Sequence, residues 1–302
     1  MLSIISVKFG SSVWLEQNLE LIYRLNPDSR FDFFVVNNDS DQGFQPPREI
    51  RVLPAVPRVL TAGKGSYHHA AALNSALAFI KTRFLLILDP DFYVIQPNWI
   101  ESVIHNMEAQ SLACFGSTWH PRWTYQYRYF PSVHFMVFDL KKIPLETLDF
   151  TPDIGTSWWD KTLSRSQIPA SLKTILQIGT FRDTGSRVQR RYRKTKTECL
   201  QAHFDAEMAI SSFDGLQKLS LRLPDRLSLI PKRKNYFSTQ GFLRDVSPYA
   251  YQQQWEEFFW QNTAFAFHLR QVGRNSGRED QSELRRILRL QIHDTKAVDS
   301  RA

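Results

Sequence analysis

Over residues 2–94 the chain alternates short apolar runs with stretches whose apolar residues recur at helical spacing, and this alternation restricts the fold more than any other feature. "LSIISVKF" (Leu2 to Phe9) reads as a buried strand, and "VWLEQNLELIYRL" (Val13 to Leu25) as a helix that Asn26-Pro27 stops. "FDFFVV" (Phe31 to Val36) is a second strand, followed by a weak one at Ile50 to Leu53 and a connection containing Pro and Gly from Pro54 to Gly65. Ser66 to Ile80 then reads as a helix with Leu73, Leu77 and Ile80 on one face, delivering the chain into the strand "FLLIL" (Phe84 to Leu88). Such an order builds a mostly parallel sheet covered by helices, whose ligands bind beyond the carboxyl ends of the strands. The turns after Phe9, Val36 and Leu88 are therefore expected to converge on one crevice.

The last of these turns is "DPD". Strand side chains alternate between faces, so residues two apart share a face, and Asp89 and Asp91 can aim at one point. Two carboxylates at a nucleotide-binding crevice form a hard-oxygen site for Mg²⁺ or Mn²⁺, which can bridge diphosphate oxygens and offset the charge on a departing nucleoside diphosphate. Taken alone, Asp-Pro-Asp is more readily a polar turn after a strand, since isolated Asp-x-Asp triplets are common. Its place in an alternating α/β half favours the metal.

The second half is less regular. "SLACFGS" (Ser111 to Ser117) and "SVHFMVFDL" (Ser132 to Leu140) look like strands, and a helix is expected around Thr156 to Ser166, carrying Trp158 and Trp159. The tract "FRDTGSRVQRRYRKTKTE" (Phe181 to Glu198) looks too polar for a core and is expected as a basic loop at the surface, over the active site or against anionic lipid. "QSELRRILRLQI" (Gln281 to Ile292) sets Leu284, Ile287, Leu288 and Leu290 among arginines, as a helix that docks on the body, pairs with another subunit or lies on a membrane. Residues 1–180 are read as the catalytic core and 181–302 as a C-terminal extension that completes the site.

Composition narrows the partners. The 302 residues carry a formal net charge of +8, which suits an acidic ligand such as a nucleotide, a nucleic acid or an anionic lipid. Only two cysteines are present, Cys114 and Cys199, and they form no CxxC pair. That argues against a disulfide framework or a thiolate zinc site and fits a reducing compartment. No apolar run is long enough to cross a bilayer and the N-terminus lacks signal-peptide features, so the expected location is cytoplasmic, with peripheral contact at the inner face of the membrane allowed by the basic segments.

Together, "ISVKFGSSVWLEQNLELI", "FFVVNNDSD", "HHAAALNSALAFIKTRFLLILDPDFYV" and "SVHFMVFDLKKI" resemble a glycosyltransferase of family 2 with the GT-A fold, over about residues 1–165. The resemblance implies a Rossmann-like α/β fold, a mostly parallel mixed sheet flanked by helices, with an irregular C-terminal acceptor region. It implies a nucleotide-sugar donor, a divalent ion (Mn²⁺ or Mg²⁺) at Asp89 and Asp91, and a glycan or lipid-linked acceptor. Donor contacts are implied at Val7, Lys8 and Phe9 and in the turn after the second strand at Asn37 and Asn38, where Asn37 stands in place of the family's usual aspartate. His69 and Asn74, on the helix before the Asp-x-Asp motif, could reach the diphosphate or ribose. Either is also readable as an ordinary helix residue.

Inverting hexosyl transfer needs a carboxylate within hydrogen-bond reach of the acceptor hydroxyl. The resemblance implies that base after the strand "VHFMVFDLKKI", where Asp153 is the better match and Asp160 the second, and Trp158 and Trp159 could form an acceptor wall. Asp153 is alternatively a helix N-terminal carboxylate. Far downstream, "WQNTAFAFHLRQVGRN" resembles the C-terminal histidine segment of such transferases, so His268 could complete the metal's coordination and Arg270 grip phosphate. Two other classes compete with sugar transfer. A nucleotidyltransferase acting on a sugar phosphate would carry a Gly-rich phosphate loop near the N-terminus, and "SVKFGSSVW" is not one; a basic nucleic-acid-binding protein is suggested by charge alone, and nucleic acid is not the expected partner.

Overall fold

A computed structural model of the chain describes residues 1–10, 12–38, 44, 46, 50–57, 64–120, 129–152, 183–203, 237–238, 240–269 and 278–299. The N-terminal half alternates as its sequence demands: β1 (Leu2–Lys8), α1 (Val13–Leu25), β2 (Phe31–Asn37), β3 (Arg51–Leu53), α2 (Lys64–Ala76), β4 (Phe84–Leu88), β5 (Phe92–Val94) and α3 (Trp99–Ala109). There follow β6 (Cys114–Ser117), β7 (Phe135–Asp139), α4 (Ser186–Tyr192), β8 (Thr197–His203) and β9 (Phe237–Ser238). The chain ends in two short helices, α5 (Leu243–Val246) and α6 (Pro248–Gln252), then β10 (Glu256–Trp260), β11 (Thr263–His268) and the long helix α7 (Arg278–Asp299).

The described strands form one mixed sheet in the order β3-β2-β1-β4-β7-β6-β8-β10-β11-β5, with β9 beside β8. Strands β3, β2, β1 and β4 are parallel, as the helical crossovers between them require. Beyond β4 the pairings turn mostly antiparallel: β7 runs against β4 and β6, β10 against β8 and β11, and β11 against β5. Strands from beyond residue 181 thus lie within the same sheet as the N-terminal ones, and the irregular C-terminal region expected there contains an antiparallel hairpin.

Both faces of the sheet are covered, which is why its central strands are mostly apolar on both sides, β4 (FLLIL) at every position. Ile4, Phe33, Val35, Leu86 and Val137 face one core, shared with Leu15, Leu19 and Ile22 of α1 and Ile100, Val103 and Met107 of α3. Ile5, Phe34, Val36, Leu85, Ile87 and Phe138 face the other, shared with Leu73 and Ala76 of α2. At about 1.5–3 kcal/mol for each large apolar side chain, this burial is the main force holding the helices to the sheet.

Two sequence expectations need correction or completion. The tract expected as a basic loop is, within its described part, helix α4 running into β8. Val188 and Tyr192, four residues apart, share one helical face and enter the second core, while Arg187, Arg190, Arg191 and Arg193 stay exposed. The high charge concealed an amphipathic helix. The C-terminal helix docks on the body: Leu284, Ile287 and Leu288 are buried in the first core, and the Tyr249 hydroxyl donates to Asp280 at 2.6 Å. Among the described residues no helix is long and apolar enough to cross a membrane.

Gly116 of β6 marks an especially close strand contact. A Cβ there would lie 2.1 Å from the carbonyl oxygen of Phe135, a backbone atom that cannot swing aside. Gly116→Ala is expected to cost about 1–3 kcal/mol by forcing β7 outward, which a denaturant midpoint would register. An unchanged midpoint would mean that the two strands have slack.

Candidate active site

The Asp-Pro-Asp turn closes β4 and opens β5, and strand register decides what meets it. Because β7 is antiparallel to β4, with Phe135 opposite Leu88, the residue just before β7 lies beside the residue just after β4. The Asp89 N–H donates to the His134 carbonyl at 2.9 Å, and His134 Nε2 lies 3.8 Å from Asp89 Oδ2. At the other end of the turn β11 runs against β5, setting His268 opposite Phe92. The Leu269 N–H donates to the Asp91 carbonyl at 3.1 Å, and His268 Nε2 reaches Asp91 Oδ1 at 3.3 Å. From α2, His69 Nε2 lies 3.8 Å from Asp89 Oδ1. Two carboxylates and three imidazoles, from four segments, therefore meet at the carboxyl edge of the sheet.

Other residues hold the turn in place. Asn18 of α1 donates its amide to the carbonyls of Pro90 at 3.2 Å and Phe92 at 2.8 Å, tying the turn to the helix beneath it. Glu256, the first residue of β10, is opposite His268 in the ladder, and its Oε2 lies 3.0 Å from His268 Nδ1. Glu256 and His268 are almost fully enclosed, at 1% and 3% side-chain exposure. A buried carboxylate is tolerated only when paired, and the imidazole is its partner.

The electrostatics follow from this crowding. Burial would push the His268 pKa down, but the adjoining Asp91 and Glu256 carboxylates outweigh it and raise the pKa to about 10. For Asp91 burial pulls upward, and the His268 ring beside it brings the carboxyl below its ordinary value on balance. His69 goes the other way: removal from water lowers its pKa to about 4, against the upward pull of Asp183 and Asp91. Its ring is neutral at neutral pH, so its approach to Asp89 is not an ion pair.

The remaining candidates are distributed around this centre. Val7 and Lys8 are buried at the end of β1, with Lys8 Nζ 5.7 Å from the centre of the Phe44 ring. Phe9 is 66% exposed and meets His68 edge-on at 6.4 Å, while Asn37 ends β2 opposite Lys8. Asn38 is committed to the scaffold: its side chain accepts from the Val56 N–H at 3.2 Å and donates to the His68 carbonyl at 3.2 Å. Asn74 is likewise occupied away from the crevice, accepting from the Phe150 N–H at 2.9 Å and donating to Asp149 and Thr151. It fixes the segment that leads to Asp153. Asp153, Asp160, Trp158, Trp159 and Arg270 lie outside the described residues.

Three residues of this centre were not singled out in the sequence. Asn18 left a signal, a lone amide on the apolar face of α1. His134 left a weaker one, a histidine at the mouth of an expected strand. Glu256 left none, because only the pairing of β10 with β11 brings it to His268.

The chemistry of the donor set suits a divalent cation: carboxylate and imidazole atoms of Asp89, His134 and His268 all lie within 4.8 Å of one another, with Asp91 against His268. Residues 3–159 match the family model for glycosyl transferase family 2. No curated protein sequence matches the chain. Among solved structures, it is similar to the mannosyltransferase PcManGT from Pyrobaculum calidifontis in complex with GDP-Man and Mn²⁺, at 14% identity and TM-score 0.38 over 60% of this chain and 53% of that one. It is similar to the galactosyltransferase LgtC in complex with donor and acceptor sugar analogues, at 12% identity and TM-score 0.38 over 65% and 73%. Residues 1–349 of TarS from S. aureus align at 16% identity and TM-score 0.35 over 48% and 51%. The chain thus spans about half the length of the first and last of these. Since the family match takes in just over half of the 302 residues, including both aspartates and His134, the chain belongs to glycosyl transferase family 2.

Proposed function

We propose that the protein transfers a hexosyl unit from a nucleotide-sugar donor to an acceptor hydroxyl, in glycan, polysaccharide or glycolipid assembly, with Asp89, Asp91 and His268 holding a divalent cation. The observation that carries this is the meeting of Asp89, Asp91 and His268 at the carboxyl edge of the sheet, where an α/β fold binds its ligands. A bound Mn²⁺ or Mg²⁺ would supply neutralisation of the charge that develops on the departing nucleoside diphosphate. The exposed Phe9 ring and His68 offer a wall for the nucleotide base, beside the paired ends of β1 and β2 at Lys8 and Asn37. His69 is a neutral hydrogen-bonding group toward the donor. Asn38 and Asn74 act at one remove, through the backbone that they hold.

The acceptor's proton is assigned to Asp153, with Asp160 as the second candidate. Thr151 and Phe150, two and three residues before Asp153, are pinned by Asn74, which fixes the backbone just before the proposed base. A general base acts chiefly in the transition state. Asp153→Asn is therefore expected to lower kcat by about 10²–10⁴-fold with donor affinity nearly unchanged, and the transfer to invert the anomeric configuration. An unchanged rate would move the base to Asp160 or elsewhere.

The reading is tested by screening nucleotide sugars for Mn²⁺-dependent thermal stabilisation and then following release of nucleoside diphosphate with candidate acceptors. Stabilisation by one nucleotide sugar that vanishes with EDTA is the expected result. Stabilisation by nucleic acid instead, with no donor bound, would overturn it.

A further inference from the structure

We propose that His134 is a ligand of the same cation as Asp89 and His268, giving the centre two imidazoles and a preference for a first-row transition ion such as Mn²⁺ over Mg²⁺. This rests on the divalent-cation reading above and extends it to a residue from the opposite strand. The argument starts from ring orientation. His134 Nδ1 lies 3.0 Å from Ser132 Oγ, and Ser132 Oγ lies 3.1 Å from Ser117 Oγ, all of them buried. A lone pair on His134 Nε2 requires the proton on Nδ1, which can donate to Ser132 while the Ser132 hydroxyl donates onward to Ser117. The two serines thus form a chain that accommodates the tautomer a metal needs, with the Nδ1 proton accepted by Ser132.

His268 is oriented in the same way from the other side. Its Nδ1 faces Glu256 Oε2 at 3.0 Å, leaving Nε2 toward Asp91 and the crevice. The two rings lie 4.5 Å apart, centre to centre. Each imidazole therefore spends Nδ1 on a buried partner and turns Nε2 toward the aspartates, the arrangement by which outer groups aim metal-bound histidines, with His268 giving up the Nε2 proton it shares with Asp91 when an ion binds. Bonds of about 2.1 Å to one ion put ligand atoms roughly 3–4 Å apart. Asp89 Oδ2 and His134 Nε2, at 3.8 Å, meet that condition, and the donor atoms of Asp89, His134 and His268 all lie within 4.8 Å of one another.

The identity of the donors decides the preferred ion. Mg²⁺ favours oxygen ligands and retains its waters, whereas Mn²⁺ and Co²⁺ accept imidazole readily. A structural role for His134 is the competing explanation, since its ring also stands edge-on to Trp119 at 5.0 Å. A packing residue would leave the metal's own signature untouched.

The test uses the full chain with Mn²⁺ alone, without nucleotide sugar, and counts imidazole nitrogens coupled to the ion by pulsed electron paramagnetic resonance. Two are expected in the wild type and one in each of His134→Gln and His268→Gln. Mn²⁺ affinity should fall about 10–100-fold in His134→Gln, with Mg²⁺ affinity changed far less, while Ser132→Ala should keep both couplings and lose about 10-fold in affinity. Thermal melts of the variants check that each is folded, and the wild-type count decides even if a variant is not. Fewer than two couplings in the wild type, or two that persist in folded His134→Gln, would overturn the inference. A protein that binds Mn²⁺ through two imidazoles yet transfers no sugar would overturn the transfer reading alone.

Discussion

Replacing Asp91 with asparagine is expected to lower sugar transfer about 100–1,000-fold while the chain still folds. The magnitude is that of removing one fixed electrostatic group from a site where charge builds in the transition state. Asparagine keeps the shape of the side chain, and the turn's backbone contacts remain, because Leu269 N–H and Asn18 bond carbonyls and not the carboxylate. His268 retains Glu256 as its partner. The loss therefore belongs to the ion and not to the scaffold, and it is read as initial rates at saturating donor over a range of Mn²⁺ concentrations. Full turnover by the variant in the presence of EDTA would show that Asp91 holds no catalytic metal.

The second large effect concerns stability. Asp139, at the end of β7, is wholly buried and receives Arg83 through two parallel hydrogen bonds, Nε to Oδ1 and Nη2 to Oδ2, each 3.1 Å. Burial would raise the Asp139 pKa, but Arg83, the Lys141 N–H and Lys142 outweigh it, so the carboxyl lies below its ordinary value. Arg83→Met leaves a buried carboxylate with, among the described residues, the Lys141 N–H and Lys142 Nζ, which is 3.8 Å away. The expected cost at neutral pH is about 3 kcal/mol, the lower end for breaking a buried pair because of those remaining partners. A group whose folded pKa is depressed stabilises the fold above its unfolded pKa, about 3.9 for aspartate, and that contribution is lost as pH falls through the lower folded value. The gap between wild type and Arg83→Met in urea midpoint should accordingly be full at neutral pH and shrink in acid as the Asp139 carboxyl is protonated, first in the variant, where burial is no longer offset by Arg83. A gap that is absent at neutral pH would mean that Asp139 is satisfied without Arg83.

The strands and helices up to Leu88 were legible because each depends on local periodicity. Apolar residues two apart or three to four apart declare a face, and Asn26-Pro27 declares an end. Helix α4 was misread for the opposite reason: in a segment with so many arginines, two buried residues four apart carry little weight against the charge. Asp89 and Asp91 were legible as a pair because one residue separates them, and His268 because its segment resembles a known family pattern. The two asparagines Asn38 and Asn74 have side chains that could serve a ligand or the backbone, and only their neighbours decided for the backbone.

What the sequence by itself determined, then, is the parallel β1-β2-β4 frame, the turn that ends in two carboxylates and the crevice into which that turn must open. Those follow from side-chain period and from the right-handed crossovers that helices impose between parallel strands. Only the tertiary structure decided that His134, Glu256 and Ser132 belong with them. Their meeting depends on the direction and register of strand pairs, β7 against β4 and β11 between β5 and β10, and register is set by how whole faces pack. Residues more than a hundred positions apart become neighbours at the Asp-Pro-Asp turn because antiparallel pairing returns the chain to the same edge of the sheet.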